Sequence, residues 1–395
     1  MSTHPTPSAE LDLSLTSARA RFPALDSRAY LYWGGLAPAS APVREAMTQW
    51  LETWEKDPIE HRSRYTFDLE ACRELLARLV RVSSDDIAIL DNTSRAANLA
   101  VAIVGANPGQ NVVVDATTYD SCIYPWLLSS RRGVEVRMAD SGSGPLEAIE
   151  AVVDDATAAV SVSHVSHKSG FRHDLPSLAA IAHAHHALLL VDVAQSAGVT
   201  PVDVRGAGVD IAYGVSMKWL CGPPGLGYLY LTPELMASRE PPHVGHAGTS
   251  FGPDGSLAFK PGGRRYDIGV ANLPGLAGFR AGLELVLAAG IERIADQTRR
   301  LTARVVDGLR SRDIETLTPE SADQRAGIVA ALVGDPIGLR AFLRDQSVDV
   351  WTWERDGRLR VDCHGFNTDD DIDRLLDALD AFRALGGRLT RQEHK

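Results

Sequence analysis

Seven short apolar runs punctuate this chain: Ile87–Leu90, Asn111–Asp115, Val134–Met138, Ala158–Ser163, Leu188–Val193, Val209–Val215 and Leu226–Leu231. Between most of them lie segments whose apolar residues recur with helical spacing, such as Arg95–Val104, Ser121–Ser130, Leu146–Val153 and Leu175–His186. A strand that is apolar throughout has no side for water, so a sheet of such strands must be covered by helices on both faces. The alternation of strand and helix predicts an α/β fold with a mainly parallel sheet.

At 395 residues the chain is long enough for one large domain and a smaller one. Residues 1–28, rich in Ser, Thr, Pro and Ala, read as a loosely held arm. Residues 29–275 read as the large domain, opening with helices Ala41–Glu55 and Tyr65–Val82. Residues 276–395 begin with two bridging helices, Leu276–Ala289 and Ile291–Arg310. They continue as a small α+β domain with strands Gly327–Val333 and Arg358–Asp362 and helices Ile337–Gln346 and Asp370–Ala384.

A net charge of −11 argues against nucleic acid or an anionic membrane as partner and favours a small molecule. No run of about 18 apolar residues is present, and the N-terminal stretch lacks a basic-then-apolar signal pattern, which predicts a cytoplasmic location. The four cysteines, Cys72, Cys122, Cys221 and Cys363, keep no paired spacing and read as reduced thiols. His183, His185 and His186 lack a partner at metal-ligand spacing, and Asp369–Asp371 read as a favourable helix start.

The chemistry concentrates around one lysine. Of five lysines only Lys218 follows a strand-like run and precedes a glycine-rich turn, Gly222-Pro223-Pro224-Gly225. An amine so placed can form an imine with an aldehyde. Asp192, at the carboxyl end of an earlier strand, is a suitable partner for a protonated pyridine nitrogen. Asn92-Thr93-Ser94 opens an apolar helix, where N–H groups, hydroxyls and the helix dipole favour a phosphate. The glycines after Lys218 are not a P-loop, because the lysine precedes them.

Leu190-Val191-Asp192-Val193-Ala194-Gln195-Ser196-Ala197-Gly198 together with Lys218-Trp219-Leu220-Cys221-Gly222-Pro223 resembles the class V aminotransferase family of fold type I pyridoxal-phosphate enzymes. That family includes cysteine desulfurases, kynureninases, isopenicillin N epimerase and C–S lyases, and the likeness spans nearly the whole chain. It implies pyridoxal 5'-phosphate as cofactor, an amino acid as substrate and a homodimer. It further implies that Lys218 bears the cofactor, Asp192 meets the pyridine nitrogen and Gln195 the ring hydroxyl. Thr93, Ser94 and Ser216 would hold the phosphate, and Tyr119 would stack on the ring. His167, in His164-Val165-Ser166-His167, would face cofactor or substrate, and Arg360 would clamp the substrate carboxylate, a task suited to a planar guanidinium.

There are departures from the family pattern. Val270 stands where relatives place a phosphate-binding Thr, for which Thr249 or Asn272 could compensate, and Met217 stands where a His commonly precedes the lysine. No cysteine occurs between Cys221 and Cys363, so the mobile thiol of a desulfurase is absent from the sequence. The expected reaction is β-elimination at a C–S bond. The alternatives are epimerisation or racemisation, transamination, decarboxylating or oxidative deamination, and a non-catalytic binding protein on the same fold.

Overall fold

The computed structural model describes residues 12–139 and 146–390, without the side chains of residues 60–65. Seven strands form the main sheet: β1 (Ile87–Leu90), β2 (Asn111–Asp115), β3 (Glu135–Ala139), β4 (Thr157–Ser163), β5 (Leu188–Asp192), β6 (Ile211–Val215) and β7 (Gly227–Leu231). Their spatial order is β1-β7-β6-β5-β4-β2-β3, parallel throughout except for β7, which pairs antiparallel with both β1 and β6. The mainly parallel seven-stranded sheet read from the sequence is therefore present.

Side-chain alternation explains why both faces are covered. Val113, Leu189 and Val191 enter one core cluster, while Val112, Val114 and Leu190 enter another on the opposite face. At about 25 cal/mol per Å² of buried apolar surface, a strand buried on both faces gains roughly twice what a half-exposed one does. Helix Thr93–Val104 packs on the second face, burying Ala96, Ala97, Leu99 and Ala100. Helix Leu175–Ala184 covers the first through Leu178, Ala179 and Ala182.

A third cluster forms the C-terminal core around β8 (Ile328–Leu332), β9 (Trp351–Trp353) and β10 (Arg358–Asp362), antiparallel in the order β8-β10-β9. Helices Pro336–Asp345 and Asp369–Ala384 cover it, the latter opening with a capping box between Thr368 and Asp371. Helices Leu273–Ala289 and Ile291–Arg310 meet at an angle of 75°, with Gly290 at φ 82° in the break. Positive φ is what a glycine there permits. Among the described residues no single helix is long and apolar enough to cross a membrane.

Two features differ from the sequence-based expectation. The described part of the arm is docked: Ala18, Phe22 and Leu25 are buried, and Arg19 donates to both Asp371 oxygens (2.8 and 3.1 Å). The surrounding Ser, Thr and Pro hide three apolar residues spaced to face one way, which composition averages out. The second concerns Ala29–Tyr30, which pair parallel with Val348–Asp349. Ala29 and Leu31 thus lie in the C-terminal core although they precede every strand of the main sheet.

Candidate active site

Parallel strands place their carboxyl ends along one edge, where the connecting loops gather. Here that edge carries nearly every residue singled out in the sequence. Asn92–Ser94 follow β1, Tyr119 follows β2, His167 follows β4, Asp192 ends β5, and Ser216 and Lys218 follow β6. Arg360 comes from β10 of the C-terminal core.

Lys218 sits in a compact loop, half-buried, closed by hydrogen bonds from Cys221 N–H to the Lys218 carbonyl (2.9 Å) and from Gly222 N–H to the Ser216 carbonyl (2.9 Å). Its Nζ lies 5.6 Å from the centre of the Tyr119 ring. Burial pushes the Lys218 pKa down, Arg360 adds to this, and Asp192 opposes it. The amine is thus biased towards its nucleophilic, neutral form.

Asp192 is 3% exposed; its Oδ1 accepts the Ala194 N–H (2.9 Å), and Cys122 Sγ lies 3.5 Å from Oδ2. Burial pushes its carboxyl up, while the Lys218 charge and the Ala194 N–H pull it down. No Lys, Arg or His nitrogen lies within 4.0 Å of it among the described residues, so this buried carboxylate is open to a cationic ligand group.

Tyr119 caps the helix Asp120–Ser130 and meets His167 edge-on, with ring centres 5.0 Å apart. Nδ1 of His167 is buried without a hydrogen-bond partner. Burial, reinforced by Arg360, Lys168, Arg358 and Lys218, lowers its pKa to about 3, which makes it a neutral imidazole. It rides on a hairpin stapled from several sides: Lys168 Nζ donates to the Ala116 carbonyl (2.9 Å), Arg358 to the Lys168 carbonyl (3.2 Å) and Thr318 to the Ser169 carbonyl (2.6 Å).

Arg360 is 4% exposed, and its Nε and Nη2 donate to Asp362 Oδ1 (2.6 Å) and Oδ2 (2.9 Å). The outer guanidinium edge, Nη1, remains for a ligand. Asp362 also accepts the Gly34 N–H (2.9 Å), and the Tyr32 ring lies 5.9 Å from the guanidinium carbon. A Cβ at Gly34 would run into Arg360, Gln195 and Trp219, so only glycine lets that segment pass beneath the arginine.

Four of the expected residues are engaged within the chain itself. Gln195 donates to the Gly34 carbonyl (3.0 Å) and accepts from Trp219 Nε1 (2.8 Å), leaving one amide hydrogen. Ser216, fully buried, turns its hydroxyl to the Pro223 and Leu226 carbonyls, so it holds the lysine loop together. Thr249 donates to the carbonyl of Gly245 in its own turn (2.8 Å), and Asn272 Oδ1 caps the helix Leu273–Ala289 by accepting the Gly275 N–H (3.1 Å). Thr93 and Ser94 behave otherwise. Asn92 caps the helix by accepting the Arg95 N–H (2.8 Å), and the two hydroxyls bond to nothing among the described residues.

Sequence reasoning missed Tyr32, Gly34, Asp362 and Cys122. Asp362 had a legible signal, since it lies two residues from Arg360 on a strand and shares its face. The donor set fits a pyridoxal phosphate. It combines a lysine biased to neutrality, a buried carboxylate without a cationic partner, an aromatic ring beside the amine, and a helix start with free hydroxyls.

The family model for aminotransferase class-V matches residues 29–350. A probable cysteine desulfurase of Methanothermobacter thermautotrophicus is 28% identical, over 93% of this chain and 98% of its own. The apo cysteine desulfurase of Thermococcus onnurineus NA1 superposes with a TM-score of 0.84 at 23% identity, covering 97% of this chain and 99% of that one. The cystine C–S lyase C-DES, solved with its product cysteine persulfide, gives 0.83 at 24% identity, covering 91% and 98%. At such identities the structural likeness establishes the fold.

Proposed function

Because the chain belongs to the class V aminotransferase family, we propose that it is a pyridoxal 5'-phosphate-dependent lyase that cleaves a C–S bond of a cysteine-derived amino acid by β-elimination. Asp192 would pair with the pyridine nitrogen, Tyr119 would pack on the ring, and Gln195 would offer its remaining amide hydrogen to the ring hydroxyl. Thr93 and Ser94, at the positive end of their helix, would hold the phosphate. When bound, the cofactor supplies an electron sink for a carbanion at the substrate Cα.

The chain's own residues do the rest. The outer edge of Arg360 holds the substrate carboxylate, with Asp362 fixing the guanidinium plane. Lys218 Nζ, biased to its neutral form, would take the Cα proton as general base. The Cβ–S bond breaks with its electron pair on sulfur, and the thiolate takes up a proton as it leaves. The Cα electron pair becomes a Cα=Cβ bond, and the 2-aminoacrylate so formed tautomerises to an imine that water hydrolyses to pyruvate and ammonia. His167, neutral at physiological pH, offers a hydrogen bond but no charge.

The observation that favours release of the sulfur over its retention is the state of the thiols. All four cysteines are buried to 1% exposure or less, and Cys363, nearest in sequence to Arg360, lies at the end of a core strand. Burial raises all four thiol pKa values. A persulfide carrier needs an exposed thiolate. Unpaired cysteines also fit a reducing, cytoplasmic compartment. A homodimer accounts for Tyr124, Leu127 and Leu128, which stand exposed beside the site on the helix that follows Tyr119.

The test is a product assay on cysteine, cystine and thioether conjugates. The expected outcome is pyruvate, ammonia and thiol (a persulfide from cystine) in equal amounts, with Lys218→Ala slower by about 10²–10⁴-fold. Deuterium uptake with inversion at Cα, or accumulation of the pyridoxamine form, would instead assign epimerisation or transamination. Borohydride reduction and peptide mapping that left Lys218 unmodified in active protein would overturn the site assignment.

A further inference from the structure

A second polar centre lies where the base of the His167 hairpin, the helix Ile291–Arg310 and the segment entering β8 meet. It is a small cavity of about 10 Å³ lined by Arg172, Thr200, Thr298 and Arg325, with Arg299 at its rim. Arg325 is 7% exposed and Thr298 2% exposed. Arg325 Nε and Thr298 Oγ1 are both buried without a hydrogen-bond partner.

The bonds these arginines do make go to neutral groups. Arg172 donates to the Asp323 carbonyl (3.2 and 2.7 Å) and to Thr200 Oγ1 (3.3 Å). Arg325 donates to the Pro319 (3.1 Å) and Glu320 (2.5 Å) carbonyls. No carboxylate pairs with either guanidinium within 4.0 Å among the described residues. Burial pushes both guanidinium pKa values down; the Asp323 charge opposes this at Arg172 and the Asp307 charge at Arg325, while Arg299 and Arg310 add to it. Two guanidinium groups thus line one partly buried site with no carboxylate in contact with either, and two buried polar atoms there lack a partner.

We propose that this cavity binds a single monatomic anion, chloride under ordinary conditions, held by the guanidinium groups of Arg172 and Arg325 and the hydroxyl of Thr298. The volume suits one particle of about water size and excludes a tetrahedral oxyanion. Water would satisfy the hydroxyl and Nε but would bring no negative charge into contact with the two guanidinium groups. The anion would tie three parts of the chain that are already adjacent. Arg172 N–H donates to the Gln324 carbonyl (2.8 Å), and Phe171 bridges to Arg325. It would therefore clip the hairpin carrying His167 to the strand entering the C-terminal core.

Two measurements on the cofactor-loaded protein test this. In crystals grown with sodium bromide, an anomalous peak is expected between Arg172, Arg325 and Thr298. At constant ionic strength, exchanging isethionate for chloride should raise Tm by about 2 °C, and both Thr298→Val and Arg325→Gln should lose that response. Thr298→Val removes a hydroxyl at nearly constant volume, which keeps the test open if Arg325→Gln fails to fold. The absence of a bromide peak, an equal chloride response in wild type and Thr298→Val, or a response to sulfate alone would each overturn the proposal.

Discussion

Lys218 and Asp192 shift each other's ionisation, and Arg360 and Lys218 both act on His167, a charge pattern suited to imine chemistry. His167 gives this pattern a measurable pH signature. Its folded pKa of about 3 lies below the ordinary value of 6.5, so the unfolded chain binds the proton first as pH falls. Stability attributable to this residue is therefore complete above pH 6.5 and is lost as pH drops towards about 3. In His167→Asn, the stability lost between pH 6 and pH 5 should be smaller than in wild type by about 1 kcal/mol, read from urea denaturation at each pH. An unchanged pH dependence would mean that His167 titrates normally and sits in a wetter place than described. Arg360 and Asp362 were half legible at this scale: the arginine stands in a recognisable motif, whereas the carboxylate that orients it is visible only as a neighbour on the same strand face.

At the scale of elements, the hairpin around His167 shows how a loop is made rigid. Gly170, at φ 77°, packs against the Ile328 carbonyl at the start of β8, and an added Cβ would overlap that oxygen. Backbone against backbone leaves no flexible atom to yield. Gly170→Ala should cost about 2 kcal/mol or more, through the unfavourable φ and the displaced contact. Urea unfolding that showed a loss below about 0.5 kcal/mol would refute the close approach. The strands themselves were the most legible elements, with Ile87–Leu90, Asn111–Asp115 and Arg358–Asp362 falling where apolar continuity places them. β9 and the pairing of Ala29–Tyr30 with Val348–Asp349 escaped because two- and three-residue strands carry no periodicity to detect.

For the whole molecule, the arm is the part whose role changes most. Phe22 packs on Trp33 (5.4 Å between ring centres) and Phe366 (5.3 Å), joining the arm, the segment beneath Arg360 and the start of the last helix. We propose that the described part of the arm, residues 12–28, fastens the large domain of residues 29–275 to the C-terminal one of residues 276–395. Phe22→Ala should then destabilise the protein by about 3–5 kcal/mol, the range for a large aromatic removed from a core. In a thermal melt this should appear as a drop of several degrees, and an unaltered Tm would show that the arm is dispensable.

The sequence by itself determined the covered, mainly parallel sheet and the motifs at its carboxyl edge. Both follow from local information: apolar continuity within a strand, and residue chemistry just beyond its end. Only the tertiary structure decided which groups complete the site. Gly34 beneath Arg360, Cys122 against Asp192 and Arg19 on Asp371 join residues distant along the chain. Their side chains meet because the sheet and its covering helices bring them together, and neither spacing nor composition encodes that meeting.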